Sequence, residues 1–395
     1  MTTTSHKRKN RALKTLQTLL SMAGTRRGGH SLGNRVQLYE NGGDFFDALF
    51  VGITTATTSL QAEFYIIKAD STGLEFARLL IEAAARGVEV ALIYDFVGCY
   101  DTPSSYFKRL EQAGVRCLAF NIPAFSRLRW LDRRDHRKMV LVDGKSAYLG
   151  GMNIGDAYAG TGEGPERWRD AGLCLRGPAA RELQAIFRET WAMESGEELP
   201  LPEVNRHIIE EKGDADVMIV NGAPHHTRSA IRSAFRLAMA GARHSIRIMT
   251  PYFLPGPRMV RALLRAHRSG IKVQMILPSI SDVPLVKLIS QAYLTPLVQA
   301  GIEVYERQDV ILHAKVMLID ETWVTLGSAN LDHRSFHRNF EINVVVDSHD
   351  FGAQVWRMFD EDLTLSRRVA VGEYARRGWL ERLLIWLLTP LRRFL

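Results

Sequence analysis

Residues 135–153 read DHRKMVLVDGKSAYLGGMN, a short apolar run with polar residues at both ends. Taken alone, the run KMVLVD is explained by a buried strand with ordinary polar ends. Residues 312–330, LHAKVMLIDETWVTLGSAN, repeat the polar positions: in both stretches lysine, aspartate, glycine and asparagine follow a histidine after two, seven, fourteen and seventeen residues. The matched pairs are His136 and His313, Lys138 and Lys315, Asp143 and Asp320, Gly150 and Gly327, and Asn153 and Asn330. Two copies with one spacing are not explained by average composition.

The sequence around the motif is duplicated as well. Apolar runs alternate with amphipathic helical patterns, which predicts an α/β fold with a largely parallel sheet. The first copy has predicted strands at 59–67 and 88–96 and predicted helices at 75–87 and 105–114. The second copy has predicted strands at 245–253 and 271–278, a predicted helix at 258–270 and a helix end at 294–301. Landmark residues of the two copies lie 177 to 187 positions apart, which indicates a duplicated domain.

The duplication and the composition between the copies divide the chain into five segments. An acidic, proline-containing stretch separates the copies and is typical of a linker. We predict a basic tail at 1–30, a first half at 31–195, a linker at 196–216, a second half at 217–366 and an amphipathic helix at 367–395.

The net charge of +8 favours partners with negative charge: nucleic acid, anionic lipid or a phosphate-bearing substrate. No uncharged apolar run reaches the roughly 18 residues that span a bilayer. The C-terminal stretch RRGWLERLLIWLLTPLRRFL instead has a wide apolar face flanked by arginines, a pattern typical of a helix lying in the membrane interface. The alternative is a terminal helix that packs on the protein's own core. The predicted membrane contacts are Trp130, Trp379, Trp386, Arg392 and Arg393.

The repeated residue types suit a phosphate site. Histidine and lysine two positions apart on a strand point to the same face, and lysine supplies charge to phosphate oxygens while asparagine supplies hydrogen bonds. Glycine lets the backbone approach a ligand closely. The predicted phosphate-binding residues are Asn153, Asn330, Gly150, Gly327 and Ser328. Paired histidines also bind metals, but neighbouring lysines repel a cation and no cysteine or carboxylate cluster completes a coordination sphere; we expect no metal and no cofactor.

Two imidazoles on opposite sides of phosphorus suit double displacement, in which one attacks and the other transfers protons. Each imidazole needs an acceptor at its other ring nitrogen. Asp170 and Glu341 are candidates, because each opens a buried strand some thirty residues after the histidine of its own half. Asp143 and Asp320 are expected to hold the turn that follows the motif strand, a structural role as much as a chemical one.

The paired H-x-K-x4-D-x6-G-[GS]-x-N motifs resemble those of the phospholipase D superfamily. The segments AEFYIIKADSTG, RGVEVALIYDFVG, WRD and LGSANLDHRSFHRNFEIN are similar to the bacterial cardiolipin synthase branch, in particular its shorter members without N-terminal transmembrane helices. The resemblance implies two mixed β-sheets flanked by helices, related by a pseudo-twofold axis, with one active site between them. It also implies a catalytic set, which by position is His136, Lys138, Asp143, His313, Lys315 and Asp320.

For the family, the resemblance implies transfer of a phosphatidyl group from one phosphatidylglycerol to another through a phosphohistidine, with release of glycerol. We assign His136 as the nucleophile and His313 as the general acid and base. We expect peripheral binding at the bacterial inner membrane and favour its cytoplasmic face. The acceptor molecule and the membrane side stay open, and no oligomer is required because one chain supplies both half-sites.

Three alternative functions arise from the same residues, and the first of them, hydrolysis, stays open. A phospholipase D-type hydrolase differs only in whether water reaches the phosphohistidine. A nucleic-acid phosphodiesterase would use the positive charge, but the chain lacks an interleaved aromatic and basic groove pattern, so we expect no nucleic-acid partner. A lipid-binding module with a degenerate site is disfavoured because every motif position is intact in both copies.

Overall fold

The computed structural model describes residues 29–123, 132–160, 166–199, 213–224 and 229–375, together with Leu388. The first-half strands are β1 His30–Tyr39, β2 Ser59–Phe64, β3 Glu89–Asp95, β4 Arg116–Phe120, β5 Lys138–Val142, β6 Ser146–Gly150, β7 Trp168–Arg169 and β8 Gly172–Arg176. The second-half strands are β9 Ala215–Gly222, β10 Ser245–Met249, β11 Lys272–Pro278, β12 Glu303–Arg307, β13 Ile311–Leu312, β14 Val316–Ile319, β15 Trp323–Gly327, β16 Glu341–Asp347 and β17 Ser366–Arg368. The α-helices are α1 Gly42–Thr54, α2 Ser71–Ala85, α3 Ser104–Gln112, α4 Pro178–Ser195, α5 Ala230–Gly241, α6 Pro257–Arg268, α7 Pro284–Gln299, α8 His333–His337 and α9 His349–Thr364; a 3₁₀ turn follows at Glu373–Ala375.

The two halves have the same strand order. From the centre outward the first half runs β1-β8-β6-β5-β2-β3-β4 and the second runs β9-β16-β15-β14-β10-β11-β12-β17. Strands β1 and β9 pair antiparallel and join both halves into one sheet of fifteen strands. The predicted α/β fold is confirmed. The two sheets that the resemblance implied are hydrogen-bonded edge to edge in a single sheet.

The alternation of helices and strands predicted a largely parallel sheet, which is wrong, whereas the mixed strand directions that the resemblance implied are confirmed. Helical crossovers make β2, β3 and β4 parallel in one half and β10, β11 and β12 parallel in the other. The motif strands β5 and β14 instead run antiparallel to both neighbours, because each returns through a tight hairpin into β6 or β15. The central turn residues Asp143, Gly144, Asp320 and Glu321 all have positive φ, the conformation that two-residue hairpin turns need.

The motif strands are apolar throughout because they are covered on both faces. In β5, Met139 and Leu141 belong to a core that both halves share, whereas Val140 and Val142 belong to the outer core of the first half. Helices α4 and α9 contribute to the shared core; α1, α2 and α3 cover the first half's opposite face and α5, α6 and α7 cover that of the second half.

The segment boundaries stay a prediction, with one difference at the end of the second half. Strand β17 pairs with β12, and Val369 and Tyr374 are buried in the second half's outer core, so packed structure continues beyond residue 366. The described helices contain no segment long and apolar enough to cross a membrane. The tail at 1–28, most of the linker and the predicted contacts Trp130, Trp379, Trp386, Arg392 and Arg393 lie outside the described residues.

Candidate active site

Each motif histidine is held at the junction of the halves by a backbone hydrogen bond to the opposite half. The His136 amide donates to the Phe340 carbonyl at 2.9 Å, and the His313 amide donates to the Arg169 carbonyl at 2.8 Å. The short strand β13, directly before His313, pairs in parallel with β7 of the first half. The two motifs therefore converge on one site.

The carboxylates that orient the histidines are exchanged between the halves. Glu341 Oε2 of the second half lies 3.1 Å from His136 Nδ1, and Asp170 Oδ2 of the first half lies 2.6 Å from His313 Nδ1. Both candidate residues contact a histidine, and each contacts the histidine of the opposite half. A carboxylate at Nδ1 keeps the proton on that nitrogen and leaves Nε2 as the basic atom.

The two motif lysines are buried beside the histidine backbone. Lys138 Nζ donates to the His136 carbonyl at 2.6 Å, and Lys315 Nζ donates to the His313 carbonyl at 2.5 Å. Only 1% of Lys138 and 4% of Lys315 is exposed. An ammonium group with so little solvation interacts strongly with an anion bound beside it.

Burial controls the protonation of these groups. Loss of hydration lowers the pKa of Lys138 to about 7 and that of Lys315 to about 8, although nearby carboxylates oppose the change. Burial also lowers the pKa of His136 to about 4 and lowers that of His313. For Glu341, burial alone would raise the pKa, but His136 and Lys138 outweigh it and the pKa is lowered. At neutral pH the site therefore holds neutral imidazoles and ionised carboxylates.

We expect kcat/KM for an anionic phosphodiester to fall by about a hundredfold or more between pH 6 and pH 9, because the lysines of the free enzyme lose their charge in this window. The same lowered lysine pKa values affect stability in the opposite direction from activity as the pH rises. Unfolded lysines hold protons up to about pH 10.4, so the unfolding free energy rises with pH above the folded-state values.

The Lys315→Arg variant is the matched control for this profile, because arginine keeps its proton throughout the range. Its alkaline fall becomes shallower, since only Lys138 then titrates. Each variant is compared with itself across pH, so a lower absolute rate does not affect the comparison. An unchanged slope in Lys315→Arg, or a flat wild-type profile, contradicts the assignment.

A cavity of about 540 Å³ opens above the histidines and is lined by both halves. Its walls are partly aromatic: Tyr65 meets the His136 ring edge-on at 5.0 Å between centroids, and Trp168 lies 4.9 Å from the His313 ring. Tyr252 lines the same cavity and its hydroxyl donates to Asp282 at 2.5 Å. Aromatic walls around a charged floor suit a ligand with an anionic centre and apolar substituents.

Both predicted asparagines line this cavity. Asn153 is held in place because its Nδ2 donates to the Tyr158 hydroxyl at 2.9 Å and its Oδ1 accepts the Ile66 amide at 3.2 Å. The side-chain oxygen of Asn330 has no hydrogen-bond partner among the described residues. A buried amide without a partner is expected to gain one from a ligand or water.

Gly150, Gly327 and Ser328 make close contacts within the protein, and their predicted role in phosphate binding stays a prediction. A Cβ atom on Gly150 would collide with the Ala171 carbonyl, and one on Gly327 with the Ile342 carbonyl. The glycines therefore allow the neighbouring strand to approach closely. The Ser328 hydroxyl donates to Glu341 Oε2 at 2.5 Å and is fully buried, so it positions the carboxylate that contacts His136.

The motif aspartates lie at the far end of the strands. Asp143 accepts the amides of Thr57, Thr58 and Ser59 at 2.8 to 3.2 Å. Asp320 accepts those of residues 243–245 at 2.7 to 2.9 Å. Neither lies among the described residues that line the cavity. Their contacts fit the structural half of the prediction, because they fix the hairpin to the start of the adjacent strand.

Four cavity residues were not predicted from the sequence: Tyr65, Tyr252, Asp282 and Tyr158. Tyr65 directly follows β2, Tyr252 follows β10 and Asp282 follows β11. Carboxyl ends of adjacent parallel strands meet at one edge of a sheet, where ligands bind. Applying that rule to the predicted strands would have found three of the four. Across the described residues, no three His, Cys, Asp or Glu side chains come together as a metal site.

A duplicated α/β fold with one composite site, built from two H-x-K motifs and exchanged carboxylates, defines the phospholipase D-like class. A family model described as cardiolipin synthase, PLD-like domain, matches residues 50–191 and 236–363. The chain belongs to this family, and the family predicted from the sequence is confirmed.

Relatives of known name support the same membership. Cardiolipin synthase 2 of Bacillus anthracis is 35% identical over 339 residues, which cover 85% of this chain and 66% of that protein. Cardiolipin synthase A of Pseudomonas syringae pv. syringae is 35% identical, covering 86% of this chain and 71% of that protein. The chain thus spans about two thirds of the length of these relatives.

Among solved structures, the phosphatidylserine synthase of Haemophilus influenzae Rd KW20 has a similar fold. Its TM-score is 0.66 at 14% identity, covering 98% of this chain and 97% of that one. At this identity the likeness supports the fold alone.

Proposed function

We propose that this protein is a cardiolipin synthase that transfers a phosphatidyl group from one phosphatidylglycerol to a hydroxyl of another, releasing glycerol. The observation that carries the proposal is the reciprocal histidine arrangement. Each imidazole is held at Nδ1 by a carboxylate of the opposite half, and both line one cavity with two buried lysines behind them. Two oriented bases and two fixed positive charges are what phosphoryl transfer through a covalent intermediate needs.

In the first step, Nε2 of His136 attacks phosphorus. The bond from phosphorus to the glycerol oxygen breaks, and His313 donates a proton to that oxygen. In the free protein, burial and Lys315 lower the pKa of His313. The negative charge of the bound phosphate raises this pKa, so that His313 holds the proton that it donates. Lys138 and Lys315 stabilise the charge that develops on the non-bridging oxygens.

In the second step, the hydroxyl of the second phosphatidylglycerol occupies the place that glycerol left. His313 removes its proton, the hydroxyl oxygen attacks phosphorus, and the bond from phosphorus to His136 breaks. The product carries two phosphatidyl groups on one glycerol, and both histidines return to their starting states. Proton transfer by one group in both directions follows from the symmetry of the two steps.

The names of the relatives fit a membrane-associated bacterial enzyme, and we propose peripheral binding at the cytoplasmic face. Leu388 is the one described residue beyond residue 375. It packs against an apolar cluster of Leu254, Val286 and Ile289, and Val286 also lines the active-site cavity. A membrane-interface helix that passes this point would bring the cavity mouth to the lipid surface.

The test is an assay of the purified protein on phosphatidylglycerol vesicles in EDTA, following both lipid and water-soluble products. Cardiolipin with an equal amount of free glycerol is expected, because the lysines and histidines supply the charge and proton transfer. Phosphatidic acid with glycerol, and no cardiolipin, would mean that water intercepts the intermediate and the protein is a hydrolase. Turnover that occurs without EDTA and is lost when EDTA is added would contradict the proposed chemistry.

A further inference from the structure

A second cavity, of about 530 Å³, lies in the second half on the other side of α8 from the active site. It differs from the first in its charge. The ionisable side chains that line it are Arg232, Arg236, Arg258, Arg261, His333 and His337. Among the described residues no aspartate or glutamate lines it. A concave surface with only basic groups has a strong positive potential.

Helical periodicity brings these side chains together. Arg232 and Arg236 are four residues apart on α5, and Arg258 and Arg261 are three apart on α6, spacings that place side chains on one face of a helix. On the neighbouring positions Phe235 and Met259 are buried in the outer core. The fold therefore fixes the arginine-bearing faces toward the cavity.

The arginines repel one another without compensation. Burial lowers the pKa of Arg232, and the charges of Arg236 and Arg258 lower it further. Within the described ranges no ion pair joins these arginines to a carboxylate. Gathering like charges at a partly buried site is unfavourable unless an anion neutralises them.

The Arg232 guanidinium is already oriented by the neighbouring histidines. Its Nη1 donates to His337 Nε2 at 3.0 Å, while His337 Nδ1 donates to the His333 carbonyl at 3.1 Å. The His337 ring is thus neutral and stacks on the His333 ring at 4.4 Å. An ordered guanidinium loses less freedom when it binds a phosphate group.

The start of α6 adds to the same potential. Gly256 is the N-cap and provides no side chain to accept the first amides, and it lines the cavity with Pro257 and Arg258. The positive end of this twelve-residue helix therefore faces the cavity and favours an anion. Helix dipole and arginines act together on one small volume.

We propose that this basic cavity is a second phosphate-binding site, distinct from the active site, that takes the phosphate of an anionic phospholipid headgroup or free inorganic phosphate. It shares α8 with the active site: Asp332 and Arg334 line the active-site cavity, whereas His333 and His337 line the basic one. A phosphate held there lies across one short helix from the active-site cavity. Binding at this site does not depend on whether the active site transfers or hydrolyses.

The test compares an Arg232→Gln/Arg258→Gln variant with an Arg265→Gln/Arg268→Gln control. The control removes the same charge from the last turn of α6, outside the cavity. All proteins also carry His136→Ala, so that lipid is not consumed. Inorganic phosphate is titrated by calorimetry, and binding to phosphatidylcholine vesicles with and without phosphatidylglycerol is measured by co-sedimentation. An Arg232→Lys/Arg258→Lys variant, which keeps the charge, checks that losses do not reflect misfolding.

The control protein is expected to bind about two phosphate ions per chain and the glutamine variant about one, with vesicle binding weakened about tenfold or more. If the glutamine variant loses one bound phosphate ion and also binds vesicles more weakly, the occupant is a lipid headgroup. If it loses the phosphate ion while vesicle binding is unchanged, the occupant is free phosphate. Equal behaviour of the glutamine variant and the control in both measurements overturns the proposal. So does equal loss in the lysine variant, since that loss would come from the fold.

Discussion

Replacing either His136 or His313 by alanine is expected to lower kcat by at least about 10³-fold, because one variant lacks the group that attacks phosphorus and the other lacks the proton donor. Both side chains line the cavity from opposite halves, so neither can substitute for the other. The measurement is release of glycerol from phosphatidylglycerol. His349→Ala, at an exposed histidine on α9, is the matched control and keeps wild-type turnover.

The two histidine variants are expected to differ on a substrate with a good leaving group, such as a p-nitrophenyl phosphodiester. A p-nitrophenolate needs no proton, so loss of the general acid leaves the first step intact while loss of the nucleophile does not. With His313 as the acid, His313→Ala gives a burst of p-nitrophenol and accumulates a phosphoryl group on His136. Accumulation of a phosphoryl group on His313 in the His136→Ala variant would instead make His313 the nucleophile and His136 the general acid. Substantial turnover of phosphatidylglycerol in either variant contradicts a two-histidine mechanism.

The duplicated half and the residues at its centre were predictable from the sequence, because both copies of the motif have identical spacing between the same residue types. The predicted helices at 75–87 and 258–270 correspond to α2 and α6, and their ends differ from the observed ones by one to four residues. The mixed sheet was not predictable from helix and strand alternation, because alternation does not report how the motif strand returns. The turn residues DG and DE indicate the direction of the return, because positive φ at both central positions is typical of a tight hairpin between antiparallel strands.

Residue spacing indicated the two carboxylates but not which histidine each one contacts. Asp170 follows His136 by 34 residues in the chain, yet its carboxylate contacts His313. The exchange depends on how two halves meet, which no local pattern encodes. Gly150 and Gly327 raise a related question, because a close ligand and a close strand both require glycine. The structure shows the close strand.

The exchange of carboxylates is itself testable. Asp170→Asn and Glu341→Gln are each expected to lower kcat by about 10² to 10⁴-fold, the range found when a buried carboxylate that orients a catalytic histidine becomes an amide. The amide removes the charge that favours protonation, and its NH₂ group, by donating to Nδ1, moves the ring proton to Nε2. A histidine protonated at Nε2 neither attacks phosphorus nor accepts the incoming hydroxyl proton.

The readout that separates positioning from a structural defect is the imidazole NMR spectrum of each variant, read across pH. Asp170→Asn is expected to lower the pKa of His313 and leave the His136 resonances near their wild-type positions; Glu341→Gln is expected to do the reverse. Ser328→Ala, which removes the hydroxyl on Glu341, gives a smaller change at His136 only. Perturbation of the histidine in the same half as the altered carboxylate would contradict the exchanged arrangement. If each substitution acts across the junction, neither half holds a complete general acid–base pair, and the duplicated chain gains its activity only where the two halves meet.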